Sequence, residues 1–232
     1  MSFDSYTKLV CHYDGADAST PTPAATGQTI TYVGTAQAST AQKIVGSASL
    51  LLDGDSDYTT VPESANWDFG TGDFTVECWF RPTAKDVDSY LMSQYISLDN
   101  RWYIVVNAAN KILIQSSIGG SVVGAYITSS AIPSYAANQW WHIAAVRNGA
   151  TVYLFANGVS LAVTEATAWT GAQFGHLATA LVTGSYLPVA HVHTAGYIDE
   201  VRISKGIARW TADFTPRQTG YGEGGNSRGI II

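Results

Sequence analysis

Charge is what this chain has least of. Asp, Glu, Lys and Arg make up 13% of its 232 residues, against about 25% in ordinary globular domains. A disordered chain combines high charge with low hydrophobicity. Here 46% of residues are hydrophobic, so disorder is excluded. Coiled coils and helical bundles coat their outer faces with Glu, Lys and Arg, and this chain lacks the residues to do so. Basic residues are few, 12 against 18 acids for a net charge of −6. No segment forms the basic footprint of a nucleic-acid binder. No apolar run reaches 18 residues, so no membrane-inserted helix is expected. Residues Met1–Tyr6 carry neither a basic nor an apolar leader stretch, and no Sec-type signal is expected. Cysteine occurs twice, at Cys11 and Cys78, without the CxxC spacing of a zinc or redox site. We read both as buried free thiols of a chain made in a reducing cytoplasm. A bridge would need their Cα atoms within about 7 Å.

What is present suits strands. Gly, Thr, Ser, Val and aromatics are abundant, and the 22 glycines follow no collagen period. Strands are predicted at Lys8–Tyr13, Gln28–Val33, Ser49–Asp53, Asp57–Val61 and Asp73–Arg81. A meander over Arg101–Asn107, Lys111–Ser117 and Val122–Thr128 follows. Trp140–Val163 carries two Asn-Gly pairs, Asn148-Gly149 and Asn157-Gly158, between apolar runs. Both central residues of a type I′ turn need φ > 0, so these pairs predict three consecutive antiparallel strands. Val152, Leu154 and Ala156 alternate with Tyr153 and Phe155. A strand apolar on both parities is covered on both faces, or holds aromatics in a groove. Single helical turns are predicted at Glu63–Trp67 and Ile207–Trp210. The length admits one large domain or two small ones, and an all-β sandwich fills it as one. The first 80 residues hold ten acids against Lys8 and Lys43, net −8, which we read as turn carboxylates in water.

Six segments, in order, resemble the laminin-G-like, concanavalin A-like lectin/glucanase family, in the single-domain form of phage structural and bacterial surface proteins. They are Lys8–Gly15, Gly46–Gly54 with Asp57-Tyr58, Trp67–Phe80 (WDFGTGDFTVECWF), Trp141–Asn148, Tyr153–Gly158 and Gly196–Phe214. The resemblance implies an all-β jelly-roll sandwich of two antiparallel sheets, with sugars or proteins bound on a concave face and its rim. It is expected to fill residues 1–217 as one domain, leaving 218–232 as a Gly-rich tail that docks a partner. Relatives hold a structural Ca²⁺ where the first and last strands meet. The matching positions are Asp14, the carbonyl of Gly46, and the side chain and carbonyl of Asp199; the alternative is that Asp14 caps a turn with Gly15 and Asp199 pairs with Arg202. The sequence departs from the family over Thr164–Gly196, which is longer than usual and carries His176, His191 and His193.

β-Glucan-cleaving members place carboxylates as Glu-x-Asp-x-x-Glu, because retaining hydrolysis needs two carboxyls about 5–5.5 Å apart. None of the five glutamates forms that pattern. Glu77 stands alone in its strand, and no catalytic residue is expected. Asp53-Gly54-Asp55-Ser56-Asp57 suggests a calcium loop, but Tyr58 stands where an EF-hand needs Gly and Ser64 where it needs Glu. The simpler reading is a tight hairpin turn. His191 and His193 would share one strand face, yet zinc needs further ligands, such as His176. Exposed loop histidines are the commoner case. Trp79, Trp141 and Trp210 are read as core. Trp102, Tyr103, Tyr126, Trp140, Trp169 and Tyr186 are the candidate ligand-binding residues. A ring with one exposed face stacks on the apolar CH face of a pyranose. The alternative is that these rings fill the sandwich or a subunit interface.

These readings combine into a non-enzymatic virion module, a capsid decoration, fibre or tail protein, that binds glycan weakly per site. Its expected partners are other virion proteins and cell-surface glycan, with no nucleic acid and no membrane insertion. Its expected location is the virion surface, after synthesis in the host cytoplasm. A homo-oligomer or multicopy assembly is expected. A bacterial surface lectin is the alternative.

Overall fold

The computed structural model describes residues 3–119, 121–128, 131–165, 173–174, 177–187 and 192–222, with backbone alone at 121–128 and 165. Sixteen strands occur in them: β1 (Thr7–Cys11), β2 (Thr31–Val33), β3 (Gln37–Ser39), β4 (Ser49–Asp53), β5 (Tyr58–Val61), β6 (Phe74–Pro82), β7 (Ser89–Ser97), β8 (Asn100–Val106), β9 (Ile112–Ile118), β10 (Ser121–Thr128), β11 (Trp141–Asn148), β12 (Thr151–Ala156), β13 (Val159–Leu161), β14 (Val163–Glu165), β15 (Leu181–Thr183) and β16 (Ala195–Lys205). They form two antiparallel sheets. Sheet one runs β13-β12-β11-β6-β16-β4-β3, with β1 also paired to β16. Sheet two runs β14-β10-β9-β8-β7-β15-β5-β2. This is the jelly-roll sandwich the sequence predicts.

The long strand β16 organises sheet one. One edge pairs with β6 along its length. The other edge is shared: β4 pairs with Ala195–Ile198, and β1 with Val201–Ser204. A register shift between Asp199 and Arg202, with Glu200 at φ 51°, separates the two halves. A bulge of this kind re-aims side chains. Here it sets Asp199 and Glu200 at the junction of the first and last strands.

The main core fills the space between the sheets. Phe74, Val76, Cys78 and Phe80 alternate inward along β6, and Trp102, Ile104 and Val106 along β8. Phe69, Phe74, Trp102 and Phe174 pack ring on ring, with Phe69 and Phe74 centroids 4.6 Å apart. A second, smaller cluster lies on the outer side of sheet one. Ala144, Val146 and Phe155 pack there against Tyr153, Ala208, Trp210 and Phe214. The strap of residues 206–222 supplies this cover. The apolar residues on both parities of β12 follow from it: Val152, Leu154 and Ala156 face the sandwich, while Tyr153 and Phe155 face the strap.

The strap corrects one expectation. Ile207–Trp210 forms no helical turn. Its backbone is spent on sheet one instead, with the Thr75 hydroxyl donating to the Ile207 carbonyl at 3.1 Å and accepting from the Arg209 amide at 3.0 Å. At the end of the strap Gly220 and Tyr221 are buried, while Gln218 and Thr219 are exposed. Residues 223–232, with Ile230–Ile232, lie outside the described residues. The other predicted turn is present as a 3₁₀ turn at Ala65–Trp67, capped by the Ser64 hydroxyl.

The two Asn-Gly hairpins differ. Asn157 and Gly158 form a two-residue loop with φ 50° and 78°, as a type I′ turn requires. At the other hairpin Asn148 pairs with Thr151, so the central residues are Gly149 and Ala150. Only Gly149, at φ 58°, lies in the left-handed region. Glycine at the first central position is the mark of type II′.

Candidate functional site

Alternation on sheet two decides which aromatics face outward. Along β8, Trp102, Ile104 and Val106 point into the core, so Arg101, Tyr103 and Val105 lie on the outer face. Register carries that face across β7, where Tyr90 opposes Val105, Ser93 opposes Tyr103 and Tyr95 opposes Arg101. On β9, Gln115 opposes Tyr103. Tyr186, just beyond β15, folds onto the same face.

The result is a row of tyrosines around one buried member. Tyr186 is 4% exposed. It stacks on Tyr90 with centroids 5.0 Å apart and planes 12° apart. It meets Tyr103 and Tyr95 edge-on at 5.0 Å and 5.3 Å. Tyr90, Tyr95 and Tyr103 are half-buried, each offering part of a ring to solvent. Polar groups lie among them. The Tyr103 hydroxyl donates to Gln115 Oε1. Arg101 Nη1 donates to the Tyr186 hydroxyl at 2.9 Å. Burial, above all, raises the phenol pKa of Tyr103 and Tyr186. These phenols stay neutral and can both donate and accept.

Of the predicted ligand residues, the structure brings Tyr103 and Tyr186 together. Trp102 is a correction. It is fully buried, faces the sandwich, and donates from Nε1 to Gln94 Oε1 at 2.7 Å, so it presents no face to a ligand. Trp140 is half-buried just ahead of β11, in the other sheet, and does not join the row. The Tyr126 backbone pairs with Ile114 and Glu165, but its side chain lies outside the described residues, as does all of Trp169. Sequence reasoning missed Tyr90 and Tyr95 because it did not predict β7.

A second constellation lies at the β1–β16 junction. Asp14 Oδ1 accepts from the amides of Ser47 and Ala48. Its carboxylate lies so close over Gly46 that a Cβ there would collide with it, and Gly46 holds φ 66°. Asp199 is fully buried, and its Oδ2 accepts from the Ile44 and Val45 amides at 3.0 Å and 3.2 Å. Its Oδ1 is buried without a hydrogen-bond partner. Burial first, then the neighbouring Glu200 and Asp14 charges, raise its pKa to about 7 against the pull of the two amides. The expected Asp14 and Asp199 thus both bind amides of the 44–48 stretch that carries Gly46. An orphaned, buried carboxylate oxygen beside a second carboxylate fits a hard cation. Among the described residues no three His, Cys, Asp or Glu side chains cluster as a metal site. A cation here would therefore lean on backbone carbonyls. His176 and His191 lie outside the described residues, and His193 stacks on Tyr58 at 6.1 Å.

The Asp53–Asp57 segment is the tight turn expected. Asp53 Oδ1 accepts from the amides of Asp55, Ser56 and Asp57. Asp57 Oδ2 accepts from the Asp53 amide at 3.1 Å.

Glu77 is the centre of a buried network under the strap. Its Oε1 receives Arg202 Nε and Nη2 at 2.6 Å and 2.5 Å. Its Oε2 contacts His142 Nε2 at 3.0 Å and receives the Tyr221 hydroxyl at 2.8 Å. The Tyr221 ring lies 3.9 Å from the Arg202 guanidinium. Burial alone would raise the Glu77 pKa, but Arg202, His142 and Tyr221 hold it down at about 2. Glu200, the other buried glutamate among the described residues, contacts His12 at 2.5 Å and accepts from the Tyr221 amide at 2.9 Å. Both carboxylates are committed on both oxygens, so neither is placed as an acid or nucleophile open to substrate.

Comparison with known proteins agrees with this fold. Residues 53–209 match the model of the concanavalin A-like lectin/glucanases superfamily. No curated protein matches the chain. Among solved structures, domain 4 of AbnA, a GH43 extracellular arabinanase from Geobacillus stearothermophilus, solved in complex with arabinotriose, is similar at 19% identity and TM-score 0.60; the match covers 87% of this chain and 93% of that one. The binding domain of Paraclostridial Mosquitocidal Protein 1 is similar at 15% identity and TM-score 0.59, covering 79% of this chain and 45% of that one. A botulinum neurotoxin type C structure, described by its dependence on two ganglioside molecules for cell entry, is similar at 13% identity and TM-score 0.57, covering 87% and 48%. The chain thus spans less than half of each toxin chain. With a family match over residues 53–209 and two antiparallel sheets in jelly-roll order, the chain belongs to the concanavalin A-like lectin/glucanase superfamily.

Proposed function

We propose that this chain is a non-catalytic carbohydrate-binding module whose ligand lies on the outer face of sheet two. The observation that carries the reading is the tyrosine row: three half-buried rings held around Tyr186, with Arg101 and Gln115 between them. Half-exposed rings stack on sugar CH faces, while interleaved polar groups bond hydroxyls. The arabinanase domain solved with arabinotriose shares the sandwich, which supports the reading at the level of fold. The test is a glycan array on the full chain, followed by calorimetry of Tyr95→Ala and Tyr103→Ala. Binding is expected, and each variant is expected to weaken it by about 1–2 kcal/mol. An array without hits sinks the proposal, as does sugar release from a β-glucan.

The setting we propose is a virion decoration, fibre or tail protein, where many weak sites act together. The support is the single-module resemblance in the sequence. Stoichiometric recovery of the chain from purified virions is the expected result. A cell-wall fraction containing it instead favours the bacterial lectin.

A structural Ca²⁺ held by Asp14, the Gly46 carbonyl and Asp199 belongs to the same proposal. It would supply charge compensation for two adjacent carboxylates and tie the 42–48 loop to β16. The orphaned Asp199 Oδ1 supports it. Calorimetric Ca²⁺ binding and a Tm lowered by EDTA are expected, both lost in Asp199→Asn. An unchanged Tm with no binding heat refutes the metal.

A further inference from the structure

We propose that the tyrosine row selects sugars carrying a carboxylate, and that Arg101 reads the charge. This rests on the carbohydrate reading above and names the ligand class of that same face.

Arg101 stands on β8 directly across from Tyr95. Its guanidinium carbon is 5.9 Å from the centre of the Tyr103 ring, and Nη1 donates to the Tyr186 hydroxyl. Nε is buried without a partner, and Nη2 makes no hydrogen bond among the described residues. No described Asp or Glu forms an ion pair with it. The other arginines drawn into dense networks are neutralised differently: Arg202 by Glu77, and Arg209 by Asp4. The acid acting on the row is Asp88, which raises the pKa of Tyr90 and Tyr103 less than burial does. Its Oδ1 is already taken by the Ala108 amide at 2.7 Å. Asp88 lies beyond the Ser89–Val106 end of the β7–β8 pair, and its backbone is roughly 20 Å along the strand from that of Arg101.

A half-buried guanidinium with Nη2 unspent is thus held on a ring-lined face of a protein with net charge −6. A guanidinium N–H gives a carboxylate a charge-assisted bond about twice as strong as a neutral one. The Tyr186 hydroxyl accepts from Arg101, and no acceptor for its own proton stands among the described residues. It is a second donor beside the same guanidinium. Pyranose CH groups against Tyr95 and Tyr103 would bring a ring carboxylate to these two donors. The shared chemistry is a carboxylated sugar, whether a uronic acid or a sialic acid.

Calorimetry on the full chain tests this with an oligogalacturonate and sialyllactose, and with arabinotriose and lactose as neutral controls, at low and high salt. At least one acidic ligand is expected to bind about tenfold or more tightly than the neutral sugars, and to weaken as salt rises. Which of the two binds tells uronate from sialate. Arg101→Gln should lose that preference and keep residual neutral binding. Arg101→Lys should retain part of it, with Tm confirming that both variants are folded. Equal binding of neutral and acidic sugars, or a preference that survives Arg101→Gln, overturns the charge reading and leaves the carbohydrate reading standing. No binding by any of the four overturns both.

Discussion

Glu77 binds three buried side chains at once, those of Arg202, His142 and Tyr221. Its carboxylate, fully buried, neutralises Arg202 and ties His142 and Tyr221 to sheet one. Removing one partner of such a pair leaves the other charge buried and uncompensated. Glu77→Gln is therefore expected to cost about 3–5 kcal/mol, or a fall in Tm of about 10 °C. The pH dependence has a fixed sign. The folded pKa of about 2 lies below the ordinary value of 4.5. The Glu77 contribution is thus fully present above the unfolded value and is lost as pH falls towards the folded one. A melting series descending through that window should show a steep loss, shallower in Glu77→Gln. A wild-type Tm flat through the window contradicts the network. The sequence marked Glu77 as solitary in its strand, which was right as far as spacing reaches. Its partners come from β11, β16 and the strap, at separations of 65, 125 and 144 residues, which no local pattern encodes.

At the scale of elements, the strap and its hairpin anchor are the part most open to test. Phe214 donates its amide to the Gly158 carbonyl at 2.9 Å, and a Cβ on Gly158 would collide with the Phe214 carbonyl. Gly158 also holds φ 78°, where L residues are strained. Gly158→Ala should loosen both the hairpin and the strap, at a cost of about 1–3 kcal/mol. Faster cleavage by trypsin at Arg209 or Arg217 is the expected readout; a wild-type digestion rate contradicts the anchoring. Legibility was uneven at this scale. β4 to β6 and β8 to β13 were visible because their apolar residues keep a clean period or flank Asn-Gly. β7 was not, because bulges between Tyr90 and Met92 and between Tyr95 and Ser97 break its period of two. Losing β7 meant losing Tyr90 and Tyr95 from the site. The Trp102 error was avoidable in part. Adjacent strand residues point to opposite faces, so Trp102 and Tyr103 could never both be ligand platforms.

For the whole molecule, the two thiols report on the integrity of the sandwich. Cys11 and Cys78 are free, buried, and on β1 and β6, with β16 between them. Burial pushes the Cys11 thiol up to about 12 and raises Cys78 as well. Neither offers a reactive thiolate at neutral pH. A thiol reagent should label none in the native protein and both after unfolding, in step with the loss of sandwich structure. Labelling of either under native conditions would show that the two sheets part more readily than their packing implies. The family and the sandwich were legible because six ordered segments trace sheet one from β1 to β16. The tyrosine face was not, since it exists only once β7, β8 and the 186 turn are brought side by side.

The two ends of the described chain meet at one edge. A Cβ on Gly222 would touch the Phe3 ring at 2.6 Å, and Asp4 pairs with Arg209. Tension drawn between those ends would therefore fall first on that ring contact, then on the Asp4–Arg209 pair and the Tyr221 bonds to Glu77 and Glu200. It would peel the strap away like a seam before it began to shear β16 against β6.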